Sequence, residues 1–293
     1  MNFTHLLAFY EVARAGSISA GAEKLRVSQP AVTREIRELE ERLGVTLFDR
    51  LPRGVALTQA GDALQAYAER IFALSGAAEL EIKELAGLSA GHLSIGASAT
   101  VGVYLVPETI AIFNARFPKV SVELTVANTE QVEEGLLAHE FSLGFIEGPY
   151  DDNIFEAKEI GADEIVAVVA VGHPLLRRKV SARDLASKRV IMREPGSGTR
   201  AVVEKAYAAQ GLIIEPVMSV SNTEAIKRML QSQQSIAYVS SLSVRDEIRR
   251  GDLATLSVKD LHIKRELHVL WLKGRAFSPS TQAFLELSLQ QTA

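Results

Sequence analysis

The chain has 293 residues, 47% of them hydrophobic and 23% charged, which is more apolar matter than one compact core takes up and predicts several globular units. It contains no cysteine, so disulfide frameworks, thiolate metal sites and cysteine nucleophiles are excluded together. The net charge of −4 excludes a generally basic, nucleic-acid-coating protein, and any DNA binding has to come from local placement of charge.

The opening Met1-Asn2-Phe3-Thr4-His5 has no basic stretch leading into an apolar run, and no apolar run reaches the roughly 18 residues of a membrane span, so a soluble cytoplasmic protein is expected. Up to Ala60, eight basic residues face seven acidic ones. Phe9, Val12 and Ala13 share one face of a first helix, which Gly16 ends from a C-cap position. A second helix starts near Ser17, carries Ile18, Ala22 and Leu25 on one side, and stops at Arg26-Val27. Ser28 is placed to N-cap a third helix with Gln29 and Pro30 in its first turn. Helices joined by so short a turn cross steeply, as in a helix-turn-helix whose second helix enters the major groove.

On the third helix Val32, Ile36, Leu39 and Leu43 recur at spacings of a buried stripe, which turns Gln29, Thr33, Arg34 and Arg37 outward. Gln pairs with adenine, Arg forks onto guanine or phosphate, Thr offers a hydroxyl and a methyl, and Pro30 could meet a thymine methyl. The same face also reads as a solvated one on which Arg34, Glu35, Arg37 and Glu38 form intrahelical pairs. Periodicity alone leaves both readings open.

Residues 9–61 resemble the DNA-binding domain of LysR-type transcriptional regulators. The likeness runs through Gly16-Ser17-Ile18-Ser19, Ala22-Glu23-Lys24-Leu25, Val27-Ser28-Gln29-Pro30-Ala31-Val32-Thr33-Arg34, Leu39-Glu40, Leu43-Gly44-Val45-Thr46-Leu47-Phe48-Asp49-Arg50 and Leu57-Thr58-Gln59-Ala60-Gly61. The resemblance implies that Ser28, Gln29, Pro30, Thr33, Arg34 and Arg37 belong to the reading helix and its cap. It also implies that residues 50–57 form a wing carrying Arg50 and Arg53. Gly21 departs from the family's usual Ala, at an expected cost of about 0.5–1 kcal/mol in helix stability.

Beyond Thr58, a plausible N-cap, Leu64, Tyr67, Ile71, Leu74, Ala78, Ile82 and Leu85 step by threes and fours, predicting a helix over 59–88. Its seam reads as a coiled-coil dimer interface, with packing against its own domain as the alternative. The resemblance implies a dimer through Leu64, Tyr67, Ile71 and Leu74, and pairing of dimers into a tetramer. Leu88-Ser89-Ala90-Gly91 reads as a hinge.

From there short apolar strands alternate with helices, an α/β pattern with a mostly parallel sheet, strands being expected at 93–96, 120–126, 143–146, 165–171, 189–192, 217–220, 236–239 and 267–272. Two stretches echo one another, Asn128-Thr129-Glu130 and Asn222-Thr223-Glu224, each between a strand and a helix, and they suggest two similar lobes. The resemblance implies a periplasmic-binding-protein-like effector domain. The expected division is 1–58 winged helix-turn-helix, 59–88 linker helix and 91–293 effector domain, with 91–161 plus 265–293 as one lobe and 162–264 as the other.

Three loops are expected at the cleft between the lobes: 97–101, 147–149 and 194–200. Ser98, Thr100, Ser197, Gly198, Thr199 and Asn222 would offer short hydroxyls and backbone N–H groups at helix N-termini, a setting for an anion, although each loop taken singly is also an ordinary helix cap. Glu147 would repel an anion unless protonated or paired, for instance with Arg200, or set outside the contact shell. By resemblance Thr100 and Thr199 match effector-contacting positions of sulfur-assimilation regulators, and the run 145–149 with 221–227 resembles the branch of sulfite-responsive and carbon-fixation regulators. The expected effector is a small oxyanion, sulfite or a sulfate-like species first and a small phosphorylated or carboxylated metabolite second.

An enzyme is not expected. Glu194-Pro195-Gly196-Ser197-Gly198 has Pro195 where a nucleophile elbow needs Gly, and the six histidines are scattered without metal-ligand spacing. Asp151-Asp152 reads as a polar turn. The alternative function is a small-anion-binding protein or enzyme using the same cleft. No cofactor and no metal are expected, and the partners are double-stranded DNA, the anion, further copies of the chain and, by resemblance, RNA polymerase.

Overall fold

The structure is a computed structural model that describes residues 2–51, 54–85, 91–232 and 235–291. It divides into two compact units, Met1–Glu79 and Leu80–Ala293. The first holds α1 (Phe3–Ala15), α2 (Ile18–Leu25), α3 (Gln29–Leu43), the hairpin β1 (Phe48–Arg50) with β2 (Val55–Leu57), and most of α4 (Gln59–Leu85). Gly16, Arg26 and Gly44 all take the left-handed conformation that ends a helix, and Ser17, Ser28 and Thr58 stand at the next helix starts. The expected breaks are therefore where the chain turns.

Leu6, Phe9, Leu39, Leu47 and Ala68 form one apolar cluster of this unit, and Ala8, Val12, Ala22, Val32 and Ile36 form another. Leu43, expected in the buried stripe, is instead 41% exposed. The left-handed Gly44 turns the chain back just beyond it, and Leu47 takes the core position. Gly21 also has a tertiary reason. A Cβ there would lie 2.6 Å from Val12 Cγ2 and 3.0 Å from Val12 Cα, so the missing side chain lets α2 close onto α1.

The second unit contains β3 (His92–Ser98), α5 (Ala99–Tyr104), α6 (Val106–Arg116), β4 (Ser121–Ala127), α7 (Thr129–Leu137), β5 (Leu143–Glu147), β6 (Phe155–Ala170) and α8 (Ala182–Ala186). It continues with β7 (Val190–Met192), α9 (Gly198–Ala208), β8 (Met218–Ser219), α10 (Thr223–Ser232), β9 (Ile236–Ser240), α11 (Ser241–Arg250), β10 (Leu253–Thr255), β11 (Ile263–Leu272) and α12 (Pro279–Gln290).

The strands form one sheet in the order β4-β3-β5-β11-β6-β9-β7-β8, with β10 also on β6. β3 runs parallel to β4 and β5, and β7 parallel to β8 and β9, giving two parallel halves. Between them β11 pairs antiparallel along its whole length with Phe155–Ile165 of the longer β6, with a bulge near Gly161 and Leu267. One end of each belongs to each lobe.

The sheet is thus mixed rather than mostly parallel, and 155–164 extends a strand expected only from 165. This stretch alternates buried Phe155, Ile160 and Asp163 with exposed Glu156, Glu159 and Glu164, a half-solvated strand with no continuous apolar run. Separate cores pack each half. Leu93, Ile95, Phe113, Leu143, Phe145 and Phe284 close one, and Ile165, Val190, Met192, Val203, Tyr207 and Tyr238 the other.

Candidate functional site

The helix-turn-helix presents one charged, solvent-facing surface. Ser28 Oγ accepts the Ala31 N–H at 3.4 Å, and Ser28, Gln29 and Pro30 are exposed at the start of α3. Arg34 and Arg37 are exposed one and two turns on, away from Val32, Ile36 and Leu39. Thr33 is half-buried and donates its hydroxyl to the Gln29 carbonyl at 2.9 Å. The intrahelical pairs of this face are formed. Arg37 pairs with Glu41 at 2.8 Å, while Arg34 lies 3.8 Å from Glu35 and 3.9 Å from Glu38. Exposed pairs of this kind stabilise by at most about 1 kcal/mol, so exchanging them for phosphate or base contacts is cheap. Glu40 Oε1 accepts the N–H groups of Leu47 and Phe48 and so fixes where the wing begins. Arg50 closes β1, paired with Val55, and Arg53 lies outside the described residues.

On α4 the expected seam splits. Leu64 and Ile71 pack against the cluster of Leu6, Phe9 and Leu39 in their own unit. Tyr67 at 63%, Leu74 at 50% and Ile82 at 65% stay exposed. The hinge at 88–90 lies outside the described residues.

In the second unit β3, β5 and β11 bring Ser98, Glu147 and Arg265 beneath the start of α5, and α9 delivers Ser197, Gly198 and Thr199 from the other lobe. None of Ser98, Glu147, Ser197, Thr199 and Arg265 exceeds 4% exposure, and Gly198 is buried as well. Arg265 is the centre. Its Nε and Nη2 donate to Asp163 Oδ2 at 2.9 and 2.6 Å, Nη1 to Thr199 Oγ1 at 2.9 Å, and Nη2 to Thr100 Oγ1 at 3.1 Å. Nη1 also lies 3.3 Å from Glu147 Oε1, whose other oxygen accepts from Ser98 Oγ. Thr100 and Thr199, expected to donate to an anion, are here acceptors for a buried cation that ties α5 to α9.

Burial pushes the Glu147 carboxyl above the usual carboxylate range, and Asp163 adds to the effect against the pull of Arg265 and Arg193. Of the alternatives open for Glu147, pairing is the one seen, although not with Arg200. Arg265 takes that place, and Arg200 reaches Glu204 at 2.7 Å. The α9 N-terminus is also engaged, since Gly198 N–H donates to Thr129 Oγ1 at 3.2 Å. A Cβ on Gly198 would sit 2.1 Å from the Glu147 carbonyl oxygen, so the close approach needs glycine.

Above this floor a cavity of about 400 Å³ opens between the lobes, lined by Tyr104, Asn128, Arg193, Ser221, Asn222 and Glu224 among others. The two echoed motifs meet here. Asn128 Oδ1 caps α7 by accepting the Gln131 N–H at 2.9 Å, and Asn222 Oδ1 caps α10 by accepting the Ala225 N–H at 3.0 Å. Asn222 therefore belongs to the cavity, apart from the six residues around Arg265. Arg193, missed in the sequence, is 3% exposed and held by Glu194 through two hydrogen bonds of 2.7 and 2.8 Å. Burial works to raise the Glu194 carboxyl, and Arg193 outweighs it and holds the group below the usual range. Tyr104 Oη donates to Glu224 Oε1 at 3.1 Å from one lobe to the other.

A winged helix-turn-helix followed by a two-lobed α/β domain with a polar, metabolite-sized cleft defines a DNA-binding regulator with an effector-binding domain. Residues 3–62 match the family described as bacterial regulatory helix-turn-helix protein, lysR family, and residues 86–293 match the LysR substrate binding domain. The chain belongs to the LysR family of transcriptional regulators. It is 32% identical to the RuBisCO operon transcriptional regulator of Allochromatium vinosum, covering 100% of this chain and 97% of that one, which places its similarity with the carbon-fixation branch. Full-length CbnR complexed with its target DNA superposes with a TM-score of 0.74 at 26% identity, each chain covered fully. The CcmR regulatory domain of Synechocystis PCC6803 in complex with 2-PG gives 0.63 at 26% identity, covering 69% of this chain and 97% of that one.

Proposed function

We propose that this LysR regulator reads DNA with Ser28, Gln29, Pro30, Thr33, Arg34 and Arg37 on and before α3, aided by Arg50 and Arg53 of the wing, and is controlled by a small anionic metabolite in the interlobe cavity. In this reading residues 1–58 bind DNA, 59–88 dimerise and 91–293 sense the effector. The protein regulates rather than catalyses, acts in the cytoplasm where the chromosome is, and meets RNA polymerase at the promoter. Dimers pair into tetramers.

The observation that carries the effector reading is the meeting of two Asn-capped helix N-termini and the Arg193 guanidinium on one cavity bounded by both lobes. Helix N-termini and a guanidinium both favour negative charge. A cavity of about 400 Å³ suits a phosphorylated or carboxylated metabolite of several carbons better than a four-atom oxyanion such as sulfite. The regulatory domain of CcmR, a relative by fold, binds 2-PG, and this supports the same order of preference. Glu194 holds Arg193 at the wall of the cleft, and the anion takes over that guanidinium as it binds.

The experiment is a thermal-shift panel on the full-length protein with phosphoglycolate, phosphate, small dicarboxylates, sulfite and sulfate. A ligand at one hundred times its dissociation constant stabilises by about 2.7 kcal/mol, a shift of several degrees. Phosphoglycolate or a dicarboxylate is expected to give it, and Arg193→Gln to abolish it. The reading fails if no anion shifts the parent or if the variant responds as the parent does.

A further inference from the structure

The DNA-binding unit contains a side-chain cluster that its reading role does not use. His5, on the first turn of α1, faces Glu35 and Glu38 of α3 through a single ring nitrogen. Nε2 lies 3.3 Å from Glu35 Oε2 and 3.2 Å from Glu38 Oε2. The His5 side chain is 12% exposed and that of Glu35 22%, while Glu38 at 49% opens the cluster to solvent. Among the described residues this is the one group of three histidine or acidic side chains whose donor atoms all lie within 4.8 Å of one another.

Protein groups alone do not satisfy this arrangement. A neutral imidazole with its proton on Nε2 has one N–H for two carboxylate oxygens. With its proton on Nδ1 it turns a lone pair toward both of them. A protonated imidazolium carries its charge to both carboxylates but still has one Nε2–H for two oxygens, and Nδ1 is buried without a hydrogen-bond partner whether the Nε2 side holds a proton or a metal ion. A divalent cation removes the conflict at Nε2 in one step. For metal–ligand distances of about 2.0–2.1 Å, ligand atoms around a tetrahedral ion stand about 3.3–3.4 Å apart, close to the 3.3 and 3.2 Å from Nε2 to the two oxygens. One imidazole and two carboxylates form a borderline donor set that favours first-row transition ions over magnesium or calcium.

The carboxylates connect the cluster to the reading face. Glu35 and Glu38 turn their Oε2 atoms to His5 and their Oε1 atoms to Arg34, at 3.8 and 3.9 Å. A cation on the Oε2 side draws charge away from the oxygens that detain Arg34. We infer that His5, Glu35 and Glu38 form a site for a divalent transition-metal ion, and that its occupancy releases Arg34 for DNA. The second half rests on the reading of α3 as the DNA-contacting helix, and the first half does not.

The test uses chelator-treated full-length protein with Zn²⁺ alone as the probe, counted by equilibrium dialysis in the parent, His5→Gln and Glu38→Gln. One Zn²⁺ per chain is expected to be lost, or its affinity lowered at least tenfold, in both variants. Glu38 is half exposed, so Glu38→Gln stays folded and keeps the count interpretable if His5→Gln does not. Equal zinc counts in the parent and Glu38→Gln overturn the site, and a lowered melting temperature in His5→Gln with an unchanged count identifies an ordinary ion pair instead. In a gel shift on a duplex selected from a random pool, Zn²⁺ is expected to tighten binding several-fold in the parent and not in Arg34→Ala. An equal response of the two overturns the link to Arg34 while leaving the zinc count to decide the site.

Discussion

Arg37 in the helix-turn-helix and Arg265 beneath the cleft each face a carboxylate, the first with 78% of its side chain in solvent and the second with none. Around Arg37 water screens the pair and can replace either partner, so the pair is held loosely, as the proposed DNA contact requires. The Arg265 side chain is wholly buried, and two carboxylates, two threonine hydroxyls and one guanidinium depend on one another. The same chemical pair therefore serves readiness in one unit and a fixed lobe-to-lobe contact in the other.

The sharpest way to break this comparison is to delete one cation from each unit, Arg265 beneath the cleft and Arg34, the exposed neighbour of Arg37 on α3. Arg265→Met keeps the bulk and leaves Asp163 buried without its counter-charge, which is expected to cost about 3–5 kcal/mol of folding stability. For a unit of this size that is a fall in melting temperature on the order of 10 °C. Arg34→Ala should leave the melt unchanged and cost roughly 1–3 kcal/mol of specific DNA affinity. Melting curves and gel shifts on both variants decide it. An unaltered melt in Arg265→Met would mean that water reaches the network and that the contrast is false.

A smaller effect separates the two sides of α4. Ile71→Glu places a charge against the Leu6-Phe9-Leu39 cluster and is expected to lower the stability of the N-terminal unit by about 2–3 kcal/mol. Leu74→Glu, on the exposed side, should leave that unit's melt alone and shift sedimentation toward monomer. If Leu74→Glu sediments with the parent, the exposed strip of Tyr67, Leu74 and Ile82 is not the dimer seam.

These contrasts also mark what was legible in the sequence. Helix ends at Gly16, Arg26 and Ser28 are set by neighbours within a turn and are legible in the sequence, whereas the left-handed Gly44 that ends α3 was not singled out. The echoed Asn-Thr-Glu motifs were equally local, and each caps its helix at the same cavity. Arg265 and Asp163 were missed because both sit on strands that alternate charged and apolar residues, a pattern that also describes an exposed strand. Only the pairing of β6 with β11 reveals that their charges turn inward. The same holds for His5, whose carboxylate neighbours come from another helix some thirty residues on, beyond any spacing rule. The split of α4 was not readable either, because period alone does not say which half of an apolar stripe its own domain covers.

The smallest expected effect concerns a carboxylate between the two extremes. Glu133 on α7 is half-buried, and burial, followed by the charges of Asp151 and Glu130, raises its carboxyl to about 7. A carboxyl raised by folding prefers its proton in the folded state. Its penalty is therefore absent well below the ordinary value near 4.5, grows as pH rises from there to about 7, and is constant above. Because solvent reaches part of the group, the penalty at pH 8 is discounted to about 1 kcal/mol. Glu133→Gln is neutral at every pH and removes it, so the variant should melt about 2–4 °C higher than the parent at pH 8 and gain progressively less toward pH 5. Melting curves at half-unit steps between pH 5 and 8 give the result. A constant offset between the two proteins across that range would show that Glu133 titrates as a solvated carboxylate, and that the like charges of Asp151 and Glu130 do not reach it.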